Sequence, residues 1–171
     1  QGQAPLEFSN PEQCQPINVP IIDHYFYDPK PNIFKRCAKS CKRCKTFIDF
    51  CLICDSRHFP IESTTTPCYF EQAPPQGYYL HHTTSLGSYF KRCSSSCLNC
   101  DGEPTTTNQN CRTCLANTYF KYGDINKNCY STTELPNFYL SSNIFYPCHP
   151  NCASCSEYGT DSDNKCLTCP N

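Results

Sequence analysis

Apolar residues occur along this chain in short clusters that recur at regular intervals, and no stretch of 11 residues has a helical period. An aromatic triplet follows a proline, and a shorter apolar pair follows each triplet after a polar or proline-rich stretch. This alternation predicts a β-hairpin at each recurrence, with exposed loop tyrosines as the open alternative. The triplets are Tyr25–Tyr27, Tyr78–Leu80 and Phe138–Leu140, the pairs are Ile33-Phe34, Tyr89-Phe90 and Ile144-Phe145, and the prolines are Pro20, Pro75 and Pro136.

The cysteines recur at the same interval as the apolar clusters. They form three sets with the same spacing. In each set three residues separate the first cysteine from the second, two separate the second from the third, and two separate the fourth from the fifth. The first cysteines of successive sets are 56 and 55 residues apart, which is typical of tandem repeats. The sets begin at Cys37, Cys93 and Cys148, and the third set lacks a sixth cysteine.

Two cysteines, Cys14 and Cys169, have no obvious partner within a set. If the end of the chain is joined to its beginning, fifteen residues separate Cys169 from Cys14. In the two complete sets, those with six cysteines, the fifth and sixth cysteines are separated by thirteen and fourteen residues. We therefore expect a disulfide between Cys169 of one copy and Cys14 of the next, in one long polypeptide or between separate chains. The predicted organisation is residues 1–14 as the tail of a preceding repeat, 15–68 as repeat 1, 69–129 as repeat 2, and 130–171 as repeat 3, which residues 1–14 of the next copy complete.

Composition explains how such a chain can fold. It has 18 cysteines in 171 residues, whereas Leu, Ile, Val and Phe together number only 30, too few for an ordinary core. The predicted fold class is therefore small, disulfide-rich and mostly irregular with short β-hairpins, an elongated tandem-repeat rod without a large hydrophobic core. Aromatic residues of successive hairpins are expected to stack on each other. So many cysteines, in even number, indicate an oxidising compartment and hence an extracellular protein, secreted or at the cell surface.

Charge and hydropathy exclude several functions. Lys plus Arg number 14 and Asp plus Glu number 15, so the total charge gives no indication of binding to nucleic acid or to an anionic membrane. No apolar run approaches the roughly 20 residues of a membrane helix. Because there is no methionine and no recognisable signal peptide, we expect the chain to be a processed product or a piece of a longer one.

The string CHPNCASCSEYGTDSDNKCLTC, from Cys148 to Cys169, resembles the furin-like cysteine-rich repeat. This growth-factor-receptor-type domain also occurs in tandem in protozoan, ciliate-like surface proteins. The resemblance extends over all three sets, and His149-Pro150 strengthens it in the third. The first set departs from it, because six rather than ten residues separate its third and fourth cysteines, and a tighter loop is expected there.

The resemblance also implies how the cysteines are paired. Six cysteines alone allow 15 pairings, and the family joins first to third, second to fourth and fifth to sixth. Together these bonds are expected to replace the missing core. Carried over, the implied pairs are Cys37–Cys44, Cys41–Cys51, Cys54–Cys68, Cys93–Cys100, Cys97–Cys111, Cys114–Cys129, Cys148–Cys155 and Cys152–Cys166.

The sequence gives little indication of a catalytic site or a metal site. C-x2-C pairs are also zinc ligands, which leaves zinc binding as a minor alternative. Four-cysteine zinc sites would leave two cysteines of each set without a role, whereas three disulfides use all six. No phosphate-binding loop occurs, and every cysteine has a structural assignment, so we expect no enzymatic activity and no cofactor. The histidines show no ligand spacing; they are His24, His58, His81, His82 and His149.

Hydroxyl residues cluster beside proline, whereas none of the 14 asparagines lies in an N-x-Ser/Thr sequence. Such Ser/Thr runs are typical of O-glycosylated segments, and plain polar loops are an equally open alternative. The candidate glycosylation sites are Thr64, Thr65, Thr66, Thr83, Thr84, Thr105, Thr106, Thr107, Thr132 and Thr133.

Two classes of function remain. The first is structural: a repeat unit of a disulfide-stabilised, O-glycosylated extracellular filament or surface coat, assembled head to tail. Its expected partners are further copies of itself and covalent glycans, with no nucleic acid and no membrane insertion of this segment. The alternative is a ligand-binding cysteine-rich module of a larger receptor or secreted regulator.

Overall fold

The computed structural model describes residues 2–7, 14–18, 22–84 and 87–170. Within these ranges the regular structure is entirely β, and no helix that could cross a membrane occurs. The strands are β1 (Gln3–Pro5), β2 (Cys14–Pro16), β3 (Tyr25–Asp28), β4 (Ile33–Arg36), β5 (Cys41–Cys44), β6 (Cys51–Cys54), β7 (His58–Pro60), β8 (Cys68–Phe70), β9 (Tyr78–Thr83), β10 (Gly87–Arg92), β11 (Cys97–Cys100), β12 (Cys111–Cys114), β13 (Thr118–Lys121), β14 (Cys129–Ser131), β15 (Phe138–Ser141), β16 (Ile144–Pro147), β17 (Ser154–Cys155) and β18 (Cys166–Thr168).

The strands form three kinds of hairpin, which follow one another along the chain in a fixed order. Aromatic hairpins (β3–β4, β9–β10 and β15–β16) contain the predicted apolar triplets and pairs. Cysteine hairpins (β5–β6, β11–β12 and β17–β18) contain the central cysteines of each set. Closing hairpins (β1–β2, β7–β8 and β13–β14) contain the sixth cysteine or, in β2, Cys14. The predicted fold class of short disulfide-linked hairpins is confirmed.

The aromatic hairpins reverse direction at residues that accept a left-handed backbone. Ser142 and Asn143, which connect β15 to β16, have φ of 51° and 63°, as a type I′ turn requires. Asn32 precedes β4 with φ 68°, and Gly87 begins β10 with φ 79°. Asparagine and glycine adopt positive φ at low cost, so these residues help to fix where each hairpin turns.

Each disulfide cluster contains one ring from an aromatic triplet, and Phe120 also packs against the second cluster. The ring belongs in every case to the middle residue of an aromatic triplet: Phe26, Tyr79 or Tyr139. Small separate clusters of this kind take the place of a large hydrophobic core, as the low aliphatic content predicts. The cysteines buried in them are Cys37, Cys41, Cys44, Cys51 and Cys68, then Cys93, Cys97, Cys100, Cys111 and Cys129, and finally Cys148, Cys152 and Cys155.

The chain divides into two compact units. One consists of Gln1–Pro75 and Leu80–Lys91, and the other of Gln76–Tyr79 and Arg92–Asn171. The first unit contains the cluster around Phe26, and the second contains the clusters around Tyr79 and Tyr139. The predicted repeat boundaries divide the chain more finely, and they stay a prediction.

Candidate functional site

Each aromatic hairpin is joined to the preceding closing hairpin by the same backbone hydrogen bond. The donor stands two positions after the residue that lies opposite the closing hairpin's cysteine, and its N–H bonds to the backbone carbonyl of the phenylalanine three residues before the first cysteine of the next set. That phenylalanine is buried in all three places, with exposed fractions of 4%, 0% and 2%. The bonds run from Glu7 to Phe34, from Glu62 to Phe90 and from Tyr122 to Phe145, each with an N–O distance of 2.8 Å.

This repeated junction shows which position Cys14 occupies. The closing hairpin that contains Cys14 has the register of the other two, because its cysteine lies opposite the third residue of the first closing strand. Cys14 is therefore in the position of a sixth cysteine. In the first two sets the fifth cysteine, which is bonded to the sixth, stands four residues before the closing hairpin. The opposed pairs are Cys14 with Pro5, Cys68 with Pro60, and Cys129 with Phe120.

Cys169 occupies the complementary position at the other end. It follows β18, whose hairpin pairs the third cysteine of its set with the fourth, as the other cysteine hairpins do. Cys169 is three residues beyond that fourth cysteine, where the other sets have their fifth. The opposed third and fourth cysteines are Cys44 with Cys51, Cys100 with Cys111, and Cys155 with Cys166.

Cys14 and Cys169 are both exposed, and neither has a disulfide partner. The other cysteines form eight disulfides with Cα–Cα distances of 5.1–5.8 Å, within the usual range. These eight pairs coincide with those that the furin-like resemblance implies. The two exposed thiols thus stand at the two positions that are bonded to each other in both complete sets.

Three buried sulfur atoms lie close enough together to suggest a metal site. Those of Cys41, Cys51 and Cys68 are all within 4.8 Å of one another. However, Cys41 is bonded to Cys51, and Cys68 is bonded to Cys54. A sulfur atom in a disulfide is not a thiolate, and thiolate is the form that binds zinc. The proximity of these three atoms therefore follows from adjacent disulfides.

The histidines lie in different surroundings: His58 and His82 bond to Ser56 and Ser88, whereas His149 and His24 bond to residues of the third and first cysteine sets. His149 is buried, with its Nε2 3.0 Å from a carboxylate oxygen of Asp161 and its Nδ1 accepting the N–H of Asn151 at 3.3 Å. His24 places Nδ1 3.3 Å from the carbonyl oxygen of Cys41. The His149-Pro150 feature of the resemblance therefore contains a histidine that packs against the third cysteine set.

The candidate glycosylation sites differ in how available their hydroxyl groups are. Thr64, Thr83 and Thr105 donate their hydroxyl groups to backbone carbonyls at 2.8, 2.8 and 3.4 Å. Thr133 is hydrogen-bonded to Ser131, and Thr66 is half-buried. Among the described residues, the remaining candidates are exposed and have no side-chain hydrogen bond; they are Thr65, Thr84, Thr106, Thr107 and Thr132.

One partly buried set of polar contacts, around Gln109, could not be recognised from the sequence. Gln109 lies in the loop before the fourth cysteine of the second set, where its side-chain oxygen and backbone nitrogen both find partners in other segments. No spacing or composition signal distinguishes this glutamine from its polar neighbours. Its role is visible only in the folded structure, where its side-chain oxygen accepts the backbone N–H of the sixth cysteine, Cys129.

Asp101 pairs with two basic residues of the second set, Arg112 and Lys127. Its carboxylate is 2.5 Å from an Arg112 nitrogen and 3.3 Å from Lys127 Nζ. Partial burial acts to raise the pKa of Asp101, but the hydrogen bonds and positive charges of Arg112 and Lys127 outweigh it, and the pKa is lowered. The side chain is therefore ionised at neutral pH and holds the cysteine hairpin to the loop that contains Lys127.

In comparison with known proteins, the chain matches no protein-family model, no curated protein and no solved structure. What the structure shows by itself is a cysteine-rich module of short hairpins with eight disulfides, which is compatible with a cysteine-rich repeat. So many disulfides indicate an oxidising environment, as outside the cell.

Proposed function

We propose that this chain is a structural extracellular module of the furin-like type, joined head to tail by a disulfide between Cys169 of one copy and Cys14 of the next. The observation that supports the proposal is the position of the two exposed thiols. Cys169 has the place of a fifth cysteine and Cys14 that of a sixth, and fifth and sixth are bonded in both complete sets. Joined copies would thus continue the pattern without interruption.

The bond forms by ordinary thiol–disulfide exchange. One thiolate attacks a small oxidised disulfide such as glutathione disulfide and releases one thiol. The second thiolate then attacks the mixed disulfide and releases another, so that the two electrons lost by the cysteines reduce the small disulfide. Because the contact joins different surfaces of two copies, a further copy can add at either end, and the copies form an open fibre when they do not close into a ring. Successive copies within one long polypeptide would be linked by the same bond.

The role we propose is non-catalytic, with O-linked glycans on the exposed threonines. The cysteine chemistry supports the non-catalytic role. Among the described cysteines, only Cys14 and Cys169 lie outside the eight disulfides, and because the proposed link uses both, no thiol remains as a nucleophile. Glycans on Thr106 and Thr107 would cover the loop of the second cysteine hairpin. They would shield that loop from proteases, which attack exposed loops first.

Electrophoresis of the chain refolded with reduced and oxidised glutathione tests the link. Without reductant we expect a ladder at multiples of 19.5 kDa that collapses to one band on reduction. Peptide mapping should give a cross-link between residues 165–171 and the Cys14 peptide. Cys14→Ser and Cys169→Ser should each end the ladder at a dimer. A monomer in which Cys14 and Cys169 are bonded to each other, or in which both stay free, would overturn the proposal.

A cleft in the first unit favours the second candidate function, ligand binding. It has a volume of about 980 Å³, and aromatic and basic side chains that include Tyr27, Phe34, Lys45 and Phe47 line it. The full-length gene product separates the two functions. Further cysteine-rich copies in tandem support the structural role, whereas a single copy joined to a kinase, protease or ligand-binding domain supports the binding module.

A further inference from the structure

The loop of the first cysteine hairpin presents an apolar surface to solvent. This first loop (residues 45–50) connects the third and fourth cysteines of its set. Phe47, Ile48 and Phe50 have exposed fractions of 68%, 53% and 47%, and Leu52 and Ile53 on β6 extend the surface with 38% and 45%. Exposed clusters of this kind mark interaction surfaces. The sequence predicts only that this loop is tighter than its equivalents.

Basic residues surround the first loop. Six of them lie between positions 35 and 45. Asp28 pairs with Lys35 at 2.7 Å, and Asp23 pairs with Arg43 at 2.6 Å. Lys39 and Lys45 take part in no ion pair within the part of the chain that the structure describes. Asp49 is the one acidic residue of the first loop itself, so this hairpin keeps a net positive charge that the nearly neutral total does not reveal.

The third loop (residues 156–165), at the equivalent place in the third cysteine hairpin, has the opposite charge. It contains Glu157, Asp161 and Asp163 against a single cation, Lys165. The Asp161 side chain is exposed to solvent, although one of its carboxylate oxygens also contacts His149. Tyr158 in this loop is 62% exposed, and Leu167 on β18 is 68% exposed, so the acidic groups also adjoin apolar surface.

We propose that the first loop of one chain binds the third loop of a second copy. Phe47 and Phe50 pack against the exposed ring of Tyr158, while Lys39 and Lys45 face the carboxylates of the third loop. Contact between two first loops is excluded because it would bring two sets of basic residues together. The second copy is a better partner than a lipid surface because the chain itself carries the complementary acidic and aromatic loop.

The contact goes beyond the head-to-tail disulfide and is independent of it. Since it also joins two different surfaces, each copy can bind two others without a covalent bond. The variant Cys14→Ser/Cys169→Ser allows the loop contact to be measured alone, because it retains all eight disulfides and cannot form the covalent link. This variant is therefore the background for every measurement below.

Sedimentation velocity of the background variant should show self-association that weakens as salt rises from about 0.05 M to 0.5 M, because screening reduces the charge attraction. Phe47→Ser with Phe50→Ser should weaken association by about tenfold or more, as loss of a central aromatic anchor does. The matched control is Ile125→Ser, which removes a side chain that is 90% exposed and belongs to neither surface. It should leave association unchanged.

Charge reversal tests the pairing of the two loops directly. Chains with Lys39→Glu/Lys45→Glu should not self-associate, and neither should chains with Glu157→Lys/Asp161→Lys. A mixture of the two should associate again, because each basic loop then meets an acidic loop of the other variant. Near-ultraviolet circular dichroism checks that each variant is folded.

Any of three results would overturn the proposal. The first is a background variant that stays monomeric at about 1 mM, a concentration at which even weak contacts are populated. The others are self-association that the Phe47 and Phe50 substitutions leave unchanged, and a charge-reversed mixture that stays monomeric. Co-sedimentation of a monomeric background variant with phosphatidylserine vesicles, lost on substitution of Phe47 and Phe50, would assign the surface to membranes instead.

Discussion

The side-chain oxygen of Gln109 accepts a hydrogen bond from the backbone N–H of Cys129, 20 residues further along the chain, at 2.8 Å. The same oxygen accepts the hydroxyl of Ser96 at 2.7 Å, and the Gln109 N–H donates to Asn128 at 2.7 Å. One glutamine thus connects three segments of the second set. In a domain whose cores are this small, such polar bridges take over part of the organising role of apolar packing.

Gln109→Leu should therefore destabilise the chain by about 1–3 kcal/mol, because the Cys129 N–H loses its acceptor while the residue keeps a similar volume. The measurement is guanidinium unfolding of the disulfide-intact protein, followed by near-ultraviolet circular dichroism. Gln72→Leu is the control, since Gln72 is exposed and its side chain has no hydrogen bond among the described residues. Equal midpoints for the two variants would show that the bridge adds nothing.

The sequence predicts the hairpins, the disulfide character and the lack of a large core because each depends on local spacing. Aromatic triplets, apolar pairs and cysteines keep their separations whichever residues lie between them. Gln109 and the exposed surface of Phe47 could not be predicted in this way. Their roles depend on which segments meet after folding, and a shortened loop with three large apolar residues can be buried or exposed with equal ease.

Phe90→Ala should lower the free energy of unfolding by about 3–5 kcal/mol, because removing a fully buried ring leaves a cavity between the closing and aromatic hairpins that the neighbouring residues fill only in part. The Phe90 ring is fully buried and makes an edge contact with Tyr69, with ring centroids 6.2 Å apart. The matched control is Phe47→Ala, where the side chain is 68% exposed and the expected change is within about 0.5 kcal/mol. Denaturant unfolding of dilute protein measures both, and a reversed order would contradict the core assignment.

Asp101 should make stability depend on pH. A carboxyl group whose pKa is lower in the folded state contributes stability that is complete above its unfolded pKa, about 4, and is lost as pH falls through the folded pKa. The difference in unfolding midpoint between the native chain and Asp101→Asn should be largest near pH 7 and should shrink below about pH 4. Other carboxyl groups are common to both proteins and cancel. A difference that stays constant down to pH 2 would refute the ion-pair explanation.

Glycosylation should follow hydroxyl exposure. Thr65, Thr106 and Thr107 are exposed and have no side-chain hydrogen bond among the described residues, whereas the Thr64 hydroxyl is bonded to the carbonyl of Ile61. We expect hexose-type mass additions on the first three and little on Thr64. The check is site-resolved mass spectrometry of protein from its natural source. An intact mass equal to that of the bare polypeptide would end the prediction.

A chain extended at its C terminus by a second copy of residues 1–18 should form a ninth disulfide within one molecule. The added segment brings a complete closing hairpin, with its Cys14 sixteen positions beyond Cys169. The equivalent pairs, Cys54–Cys68 and Cys114–Cys129, are 14 and 15 positions apart and have Cα–Cα distances of 5.7 and 5.6 Å. After oxidative refolding, alkylation under denaturing conditions should label only the original Cys14, and peptide mapping should link Cys169 to the added cysteine. The same extended chain with serine in place of the added cysteine is the control; its monomer fraction should show two labelled thiols, and its linked fraction should run as the ladder described above. Two or more labelled thiols in the cysteine-containing extension would mean that Cys169 and Cys14 are not halves of one disulfide, and the head-to-tail link would lose its structural basis.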